Sequence, residues 1–266
     1  MKIALIGSSS EVGQLIQKKV LLKNNYDYVR FGRTEDRMGS LEGIPFCQYD
    51  LFEDGLNLED EFDYVIYCAY DFKDLRDSEE NINYLAIKKI TFHKNCKLIY
   101  TSSVLAENKL SLYGQVKNKI EYCVNEIGGY SLRIGVIESE IPISNIKLLS
   151  NFALKMKFLV LPGIKSQILV SNDDKIAETI TNIIDNKNIA NGSSIIFAVS
   201  YISTLKTCIK EVTGNRVMLI NFPIYLLNPL FYLSKKTRIF QKISDKFENL
   251  KLAPHQYSSW RPEHTE

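Results

Sequence analysis

Near its start the chain reads Lys2-Ile-Ala-Leu-Ile-Gly-Ser-Ser-Ser-Glu-Val-Gly13. A short apolar run ends at Gly7, and an amphipathic stretch follows from Val12 to Leu22, which predicts a strand, a tight loop and a helix. Glycines at both ends keep the loop slim, so that a phosphate can approach the N–H groups at the start of the helix. The stretch therefore predicts a site for the pyrophosphate of a dinucleotide. The alternative is an ordinary serine-rich turn.

The same alternation of apolar runs and amphipathic stretches continues along the first half of the chain. Strands are predicted at Tyr28–Phe31, Phe46–Tyr49, Tyr64–Cys68, Lys97–Tyr100 and Tyr130–Ile134, and helices at Ser78–Phe92 and Leu112–Ile127. Short strands alternating with longer helices are the pattern of a parallel sheet covered by helices. The sequence thus predicts an α/β fold with a Rossmann-like, doubly wound parallel sheet.

After Gly135 the alternation loosens, and the later segments are assigned to a small C-terminal lobe. A helix from Asp173 to Ile184, a strand at Ile195–Val199 and a helix at Ser203–Val212 are predicted there. We divide the chain into a dinucleotide-binding core at 1–165 and a mainly substrate-binding lobe at 166–266, with 190–212 packing back on the core. Open α/β sheets bind ligands at the carboxyl ends of their strands, so the lobe is expected to cover that edge.

Composition and charge exclude several classes of protein. The 266 residues include 33 Lys+Arg and 31 Asp+Glu, a net charge of +2, and 45% are hydrophobic, as in ordinary globular proteins. The near-neutral balance argues against a nucleic-acid partner. The five cysteines are scattered without a Cys-x-x-Cys pair, and only three histidines exist. We therefore expect no metal site, no disulfide framework and a cytoplasmic location.

One uncharged segment, Val217–Ser234, just reaches the length of a membrane-spanning helix. It is interrupted by Asn221, Pro223, Asn228 and Pro229. These residues favour a lobe packed on the core over an integral membrane span, and contact with a membrane interface is the further alternative.

The end of the second predicted strand bears on the choice of cofactor. It reads Phe31-Gly-Arg33 and offers no acidic residue for the ribose 2′-hydroxyl of NAD. Arg33 could pair with the 2′-phosphate of NADP, or it could be one solvated charge among Arg30, Arg33 and Arg37. NADP is thus the favoured cofactor and NAD the alternative. Asp50, beside Leu51, is a candidate for the adenine amine or a plain turn residue.

The strongest candidate for chemistry is Tyr113-Gly-Gln-Val-Lys117. At this spacing on a helix, the phenol and the ammonium share a face. A neighbouring cation lowers the pKa of a phenol, so Tyr113 could act as an acid or a base. The same spacing occurs at Tyr84/Lys88 and Tyr232/Lys236. Only the Tyr113 pair opens a helix after a strand that ends in Thr101-Ser-Ser103, where Ser103 could bond the same substrate oxygen or merely cap a turn.

Together these motifs resemble the extended short-chain dehydrogenase/reductases, the NAD(P)-dependent sugar-nucleotide epimerases, dehydratases and reductases. They follow in that family's order: Gly7 and Gly13, Asp50-Leu51, Val65-Ile-Tyr-Cys-Ala69, Asn81-Ile-Asn83, Tyr100-Thr-Ser-Ser103, Tyr113-x-x-x-Lys117, Leu132-Arg-Ile-Gly135, Leu161-Pro-Gly163, Asp173-Asp-Lys-Ile-Ala177, Thr204-Leu-Lys206, Glu211-Val-Thr-Gly214 and Trp260-Arg-Pro262. The resemblance covers nearly the whole chain. It departs from the pattern where Ser10 replaces a glycine and where the interval between Ser103 and Tyr113 is short.

The resemblance implies a role for each matching residue. Tyr113 would be the acid/base, Ser103 would orient the substrate oxygen, and Lys117 would lower the phenol pKa and hold the nicotinamide ribose. Asn81 would be the fourth member of the catalytic set, with Asn83 as the alternative. The implied cofactor contacts are Gly7, Ser8, Ser9, Ser10, Val12, Gly13, Arg33, Asp50, Leu51, Cys68, Ala69, Tyr113, Lys117 and Ile134.

The favoured function is NADPH-dependent reduction of a nucleotide-linked ketosugar, with Tyr113 as the proton donor. The first alternative is an NAD-dependent nucleotide-sugar epimerase, and the second is a catalytically silent NAD(P)-binding regulatory subunit. The short interval before Tyr113 lacks the loop that usually brings an acidic residue to the site, which disfavours a dehydratase. Candidates for the substrate diphosphate are Arg133, Arg216 and Arg261, each of which could instead be a structural or surface charge.

A homodimer is also expected, because paired helices flanking the sheet form the dimer contact in relatives. The two helices would be Ser78–Phe92 and Leu112–Ile127. Leu85, Ile120 and Val124 could supply apolar contacts, and packing on their own sheet is the alternative.

Overall fold

The computed structural model describes residues 1–34, 43–53, 55–58, 62–108, 111–139, 145–162, 167–186 and 194–222. Its strands are β1 (Lys2–Ile6), β2 (Asp27–Gly32), β3 (Phe46–Gln48), β4 (Leu56–Leu58), β5 (Tyr64–Tyr67), β6 (Ile90–Phe92), β7 (Lys97–Ser103), β8 (Tyr130–Ile134), β9 (Val136–Glu138), β10 (Phe158–Pro162), β11 (Gln167–Asn172), β12 (Ile195–Ala198), β13 (Tyr201–Thr204) and β14 (Met218–Phe222). Its α-helices are α1 (Glu11–Ile16), α2 (Ile82–Lys88), α3 (Leu112–Glu126), α4 (Asn145–Met156), α5 (Asp173–Ile184) and α6 (Leu205–Thr213).

A sheet of seven strands forms the centre of the molecule, in the order β12-β8-β7-β5-β1-β2-β3. Every neighbouring pair is parallel. The carboxyl ends of all seven strands therefore meet at one edge, which we call the carboxyl edge. The chain runs outward from β1 through β2 to β3 and then returns to the other side of β1, and such a reversal opens the crevice in which α/β sheets bind ligands. The predicted parallel α/β sheet is confirmed.

Helices cover both faces of this sheet, because side chains of successive strand residues point to opposite faces. On one face, Leu5 and Ile66 pack with Leu15 of α1 and Ile180 of α5. The opposite face is closed by α2 and α3, whose buried apolar side chains pack on β1, β5 and β7. Burying apolar surface at about 25 cal/mol per Å² is the main term that stabilises such a two-faced core.

The first βα unit is tied together at its loop. Ser10 caps α1 by accepting a hydrogen bond from the Gly13 N–H at 3.0 Å. The predicted helix over Val12–Leu22 is not a single α-helix, because a π-helical turn follows α1 at Gln17–Leu21. Gln17 is buried there, and its side-chain amide donates to the Ser8 carbonyl oxygen at 2.9 Å. The π-helical turn thus holds the glycine loop in place through the hydrogen bond from Gln17 to Ser8.

Two predicted elements have different ends in the structure. The helix expected over Ser78–Phe92 is wrong in length: α2 spans only Ile82–Lys88, because Asn81 caps its start and β6 follows its end. The residues of β6 pair in parallel with β4 instead of continuing the helix. The strand expected to break after Tyr100 continues through β7, since β8 offers ladder partners as far as the pair Ser103 and Ile134.

The later segments divide between the large sheet and a second hydrophobic cluster. The predicted strand at Ile195–Val199 is β12, which pairs with β8 at the edge of the large sheet. A three-stranded sheet β13-β11-β9 and a two-stranded sheet β10-β14 pack with α4 and α6 around Ile146, Leu159, Val170 and Ile209. The division at residue 165 stays a prediction. Of the segment Val217–Ser234, residues 223–234 lie outside the described residues, and no helix that the structure describes is long and apolar enough to cross a membrane.

Candidate functional site

The glycine loop lies at the carboxyl edge, between β1 and α1. Gly7 has φ +81°, and a Cβ there would meet the Ala69 backbone nitrogen at 2.5 Å, so only glycine allows this approach to the end of β5. A Cβ at Gly13 would meet the backbone oxygen of Gly7. The buried Ser8 hydroxyl has no hydrogen-bond partner among the described residues. A slim loop with a spare buried hydroxyl at a helix start fits a pyrophosphate. Of the other predicted loop contacts, Ser9 is exposed, and Ser10 and Val12 are half-buried.

The predicted contacts of the adenosine half lie beyond β2. Arg33 is exposed directly after β2. Arg30 is not a loop charge, because it is only 2% exposed within β2, where it donates to the Ile44 carbonyl oxygen and lies over the Phe46 ring. Asp50 accepts a hydrogen bond from the Phe52 N–H at 3.2 Å, the geometry of a turn residue, and Leu51 is buried beside it. Arg37 lies outside the described residues.

The start of α3 brings Tyr113 against the end of β7. Ser111 caps the helix by accepting from the Gly114 N–H at 3.1 Å. A Cβ at Gly114 would meet the backbone oxygens of Leu105 and Asn108, so glycine lets the helix press on the turn that follows β7. The Ser103 hydroxyl accepts a hydrogen bond from the Leu105 N–H at 3.2 Å, and it lies close enough to the Tyr113 phenol to lower the pKa of that phenol. The structure therefore brings the predicted Ser103 and Tyr113 together.

Lys117 lies one turn further along α3 and is 5% exposed. Its ammonium donates to the Thr101 carbonyl oxygen at 2.9 Å and lies 4.6 Å from the ring centres of both Tyr70 and Tyr100. Burial lowers the pKa of Lys117 to about 7, although the nearby Glu121 carboxylate acts in the opposite direction. The ligand-free lysine is therefore partly neutral at physiological pH.

The pKa of Tyr113 in the ligand-free protein is set by burial and not by Lys117. Burial raises the pKa of Tyr113 to about 12, and the hydrogen bond from Ser103 offsets this only in part. Lys117 directs its proton to Thr101, and its nitrogen lies 5.8 Å from the centre of the Tyr113 ring. Tyr113 therefore holds its proton at neutral pH and is placed to donate it.

The two candidate asparagines, Asn81 before α2 and Asn83 within it, are hydrogen-bonded to each other and differ in their further contacts. Asn81 is buried and caps α2, accepting from the Asn83 N–H at 3.1 Å. Asn83 instead reaches the backbone of Asp71, next to the rings that pack on Tyr113. Between the two candidates, the structure places Asn83 nearer to the Tyr113 site and gives Asn81 the role of a helix cap.

The remaining predicted contacts lie at the carboxyl ends of β5 and β8, the two strands that flank β7. Cys68 and Ala69 follow β5, and Ile134 ends β8. Burial raises the pKa of the Cys68 thiol to about 12, so the thiol stays protonated and Cys68 acts as a small apolar side chain and not as a nucleophile. All five cysteines are free, and the described residues contain no group of three or more metal-ligating side chains.

A buried ion-pair network lies next to the site, and the sequence analysis did not assign it. Arg133 forms two hydrogen bonds to the Glu121 carboxylate, at 3.0 and 2.8 Å, and a third to Glu107 at 2.6 Å. Ser102 donates to the same Glu121 at 2.6 Å. Arg133 is thus a structural charge, paired with two glutamates, and not a free cation for the substrate diphosphate. Arg216 is exposed, and Arg261 lies outside the described residues.

Two further residues, Tyr70 and Phe72, were not predicted from the sequence, and their rings pack on Tyr113. Alternating aromatic residues directly after a buried strand were the available signal for them. For Glu121 the signal was its position four residues beyond Lys117, which puts both on one helix face.

The fold resembles solved nucleotide-sugar epimerases. A nucleoside-diphosphate-sugar epimerase from Staphylococcus aureus matches with a TM-score of 0.64 at 12% identity, covering 97% of this chain and 95% of that one. UDP-glucuronic acid 4-epimerase from Bacillus cereus, solved with NAD, matches with a TM-score of 0.64 at 17% identity and coverage of 83% and 86%. UDP-glucose 4-epimerase from Thermotoga maritima matches with a TM-score of 0.61 at 15% identity and coverage of 84% and 86%. No protein-family model and no curated protein matches the chain.

The molecule therefore has a Rossmann-like fold, as predicted, and shares that fold with these solved epimerases. Solved structures with a similar fold include nucleotide-sugar epimerases and an NAD-dependent NDP-hexosamine 5,6-dehydratase.

Proposed function

We propose that the protein is an NAD(P)-dependent oxidoreductase that acts on a nucleotide-linked sugar and interconverts two epimers of it. The observation that carries this proposal is the meeting of Ser103, Tyr113 and Lys117 at the carboxyl edge. The glycine loop is connected to them through contacts, because Gly7 packs on Ala69 and the neighbouring Tyr70 packs on Tyr113.

Each of these residues has a task that its position permits. Tyr113 would accept the proton of the sugar hydroxyl as hydride leaves that carbon and return it to the oxygen as the hydride returns, which requires that the pKa of Tyr113 fall from about 12 once the dinucleotide is bound. Ser103 hydrogen-bonds the same oxygen and fixes its direction. Lys117 and the loop from Gly7 to Gly13 would hold the dinucleotide, whose nicotinamide accepts or supplies the hydride.

The sequence favoured reduction with NADPH, and the similar structures support the epimerase alternative instead. An epimerase needs no net reductant, since the hydride taken from one carbon returns to it. The NADPH-dependent reductase stays the second candidate, because Arg33 is exposed at the end of β2 where a 2′-phosphate would lie.

The experiment combines the cofactor with the product. The purified protein is denatured to release any dinucleotide, which is then identified, and fresh protein is incubated with UDP-glucose, UDP-glucuronic acid or UDP-N-acetylglucosamine. An epimeric product without net consumption of NADH or NADPH supports the epimerase, and stoichiometric NADPH consumption supports the reductase. A protein that binds neither dinucleotide would be a silent member of the fold, and the proposal would be wrong.

A further inference from the structure

Two aromatic rings from one short segment pack against Tyr113. The Tyr70 ring meets the Tyr113 ring edge to face, with centres 5.2 Å apart. The Phe72 ring lies nearly parallel to the Tyr113 ring, at 15° and 5.9 Å, and 4.8 Å from Tyr70. We call Tyr70 and Phe72 the aromatic wall. It is a direct neighbour of the phenol that would donate the proton.

The aromatic wall is fixed from behind by Asn83. The Asn83 side-chain oxygen accepts from the Asp71 N–H at 2.6 Å, and its amide nitrogen donates to the Asp71 carbonyl oxygen at 3.0 Å. Asn83 is 1% exposed, and a further bond of 2.8 Å to the Asn81 side-chain oxygen sets the direction of its amide. Since Asp71 lies between the two wall residues, this clamp holds both rings.

The outer member of the wall is open to solvent. Phe72 is 68% exposed, whereas Tyr70 and Tyr113 are half-buried. The exposed ring of Phe72 is kept in position by the buried Asn83 amide, and it forms a flat apolar surface beside the Tyr113 phenol. An apolar surface beside a few fixed polar groups is the usual composition of a small-molecule site.

The position of Phe72 within its segment indicates what it meets. In the segment Ala69–Phe72, Ala69 contacts Gly7 of the glycine loop, so the dinucleotide would lie near the start of the segment. Phe72 is at the other end of the segment, away from that loop. A pyranose that presents an oxygen to Tyr113 carries its hydroxyls around the ring rim and C–H groups on the ring faces. Such a face is apolar and matches a phenyl ring.

We propose that Phe72, held by the Asn83–Asp71 clamp, is a substrate-binding residue that packs against the C–H face of the sugar ring. This inference rests on the proposed function, because it takes the substrate to be a nucleotide-linked pyranose. Tyr70 and Asn83 are positioning residues, which act by keeping the ring of Phe72 beside Tyr113.

The test compares Phe72→Ala with Phe52→Ala, which removes a phenyl ring that is 60% exposed elsewhere. With the most active of the three UDP-sugars named above, Phe72→Ala should raise KM by about tenfold, since the lost ring contact is worth on the order of 1.4 kcal/mol, and kcat should change by less than about threefold. Phe72→Tyr should restore KM, and Phe52→Ala should match wild type. Asn83→Ala should raise KM in the same direction while leaving the dinucleotide affinity unchanged.

A binding measurement separates this inference from the proposed function. In Phe72→Trp with Trp260→Phe, the new indole is the only one in the chain, and its emission should change on addition of the same UDP-sugar. If wild type converts the sugar but Phe72→Ala keeps the wild-type KM, the inference is wrong and the function stands. If Phe72→Ala weakens the dinucleotide and leaves the sugar KM unchanged, the wall belongs to the nicotinamide and the inference is again wrong. If no UDP-sugar is converted and none changes the emission, both fail.

Discussion

At the residue scale, Tyr113 is the side chain on which the proposed chemistry depends. Tyr113→Phe removes one oxygen and keeps the ring contacts with Tyr70 and Phe72. General acid–base catalysis contributes about 10²–10⁴-fold, so turnover should fall by that factor while the dinucleotide still binds. Tyr84→Phe is the matched control, because Tyr84 stands at the same spacing from Lys88 on another helix, and it should stay within a few-fold of wild type. If only Tyr84→Phe loses activity, the choice of Tyr113 and Lys117 as the catalytic pair is wrong.

Arg33 tests the choice between the two dinucleotides. A guanidinium paired with a 2′-phosphate contributes about 1.5–3 kcal/mol, so Arg33→Ala should weaken NADPH by about tenfold to a hundredfold and NADH very little. Titration of both cofactors by calorimetry measures the difference. Equal weakening of both, or a wild-type preference for NADH, would show that Arg33 does not read the 2′ position.

Lys117 predicts a dependence of stability on pH. Its folded pKa of about 7 lies below the usual 10.5, so between these values the unfolded chain binds a proton that the folded protein has released. Stability from this group therefore rises with pH through that interval, by about 2–3 kcal/mol between pH 7 and pH 9. Urea unfolding of the ligand-free protein should show this rise in wild type relative to Lys117→Met. If the difference in unfolding free energy between wild type and Lys117→Met stays constant between pH 7 and pH 9, the prediction is wrong. The control is Lys88→Met, which removes an exposed lysine.

The grouping of Ser103, Tyr113 and Lys117 could be predicted from the sequence, because helix spacing and strand ends are local properties. The high pKa of Tyr113 could not. It arises from burial beside Tyr70 and Phe72, which lie more than 40 residues earlier and reach Tyr113 only through the parallel pairing of β5 and β7. For the same reason, the ion pair that occupies Arg133 was not visible in a linear motif.

At the scale of the elements, the Glu121–Arg133 ion pair joins α3 to β8. Breaking a buried pair leaves an uncompensated charge and costs about 3–5 kcal/mol, so Glu121→Leu should lower the free energy of unfolding by about that amount. The control is Lys119→Met on the same helix, whose partner Glu79 is exposed, and which should leave stability nearly unchanged. Equal effects in chemical denaturation would mean that the network does not hold α3 on the sheet.

The lengths of elements were less predictable than their order. Apolar periodicity alone extends the helix around Tyr84 to Phe92, but β4 offers a backbone ladder to β6, and the chain takes those hydrogen bonds instead. A strand partner more than 30 residues away is invisible to a local pattern. The alternation of strands and helices is robust, because it follows from burial of the large sheet on both faces.

At the scale of the whole molecule, a dimer through α2 and α3 stays a prediction, with a changed contact surface. Ile120 and Val124 are fully buried against their own sheet, so they cannot reach a partner. Tyr122, 64% exposed on α3, is the aromatic residue available instead. Light scattering should give twice the 30.5 kDa of the chain, and Tyr122→Glu should give the single mass. A wild-type monomer at micromolar concentration would refute the dimer.

The edge strand β12 has a consequence for synthesis on the ribosome. It completes the large sheet by pairing with β8, yet the chain builds β9, α4, β10, β11 and α5 between the two. Until residue 198 has been made, β8 has no partner on its outer side, and until residue 184 has been made the apolar face under α5 is uncovered. Open edges pair readily with other chains. A chain that stops before α5 is complete therefore lacks the helix that covers one apolar face of the large sheet, and we expect such a fragment to aggregate more readily than the whole chain.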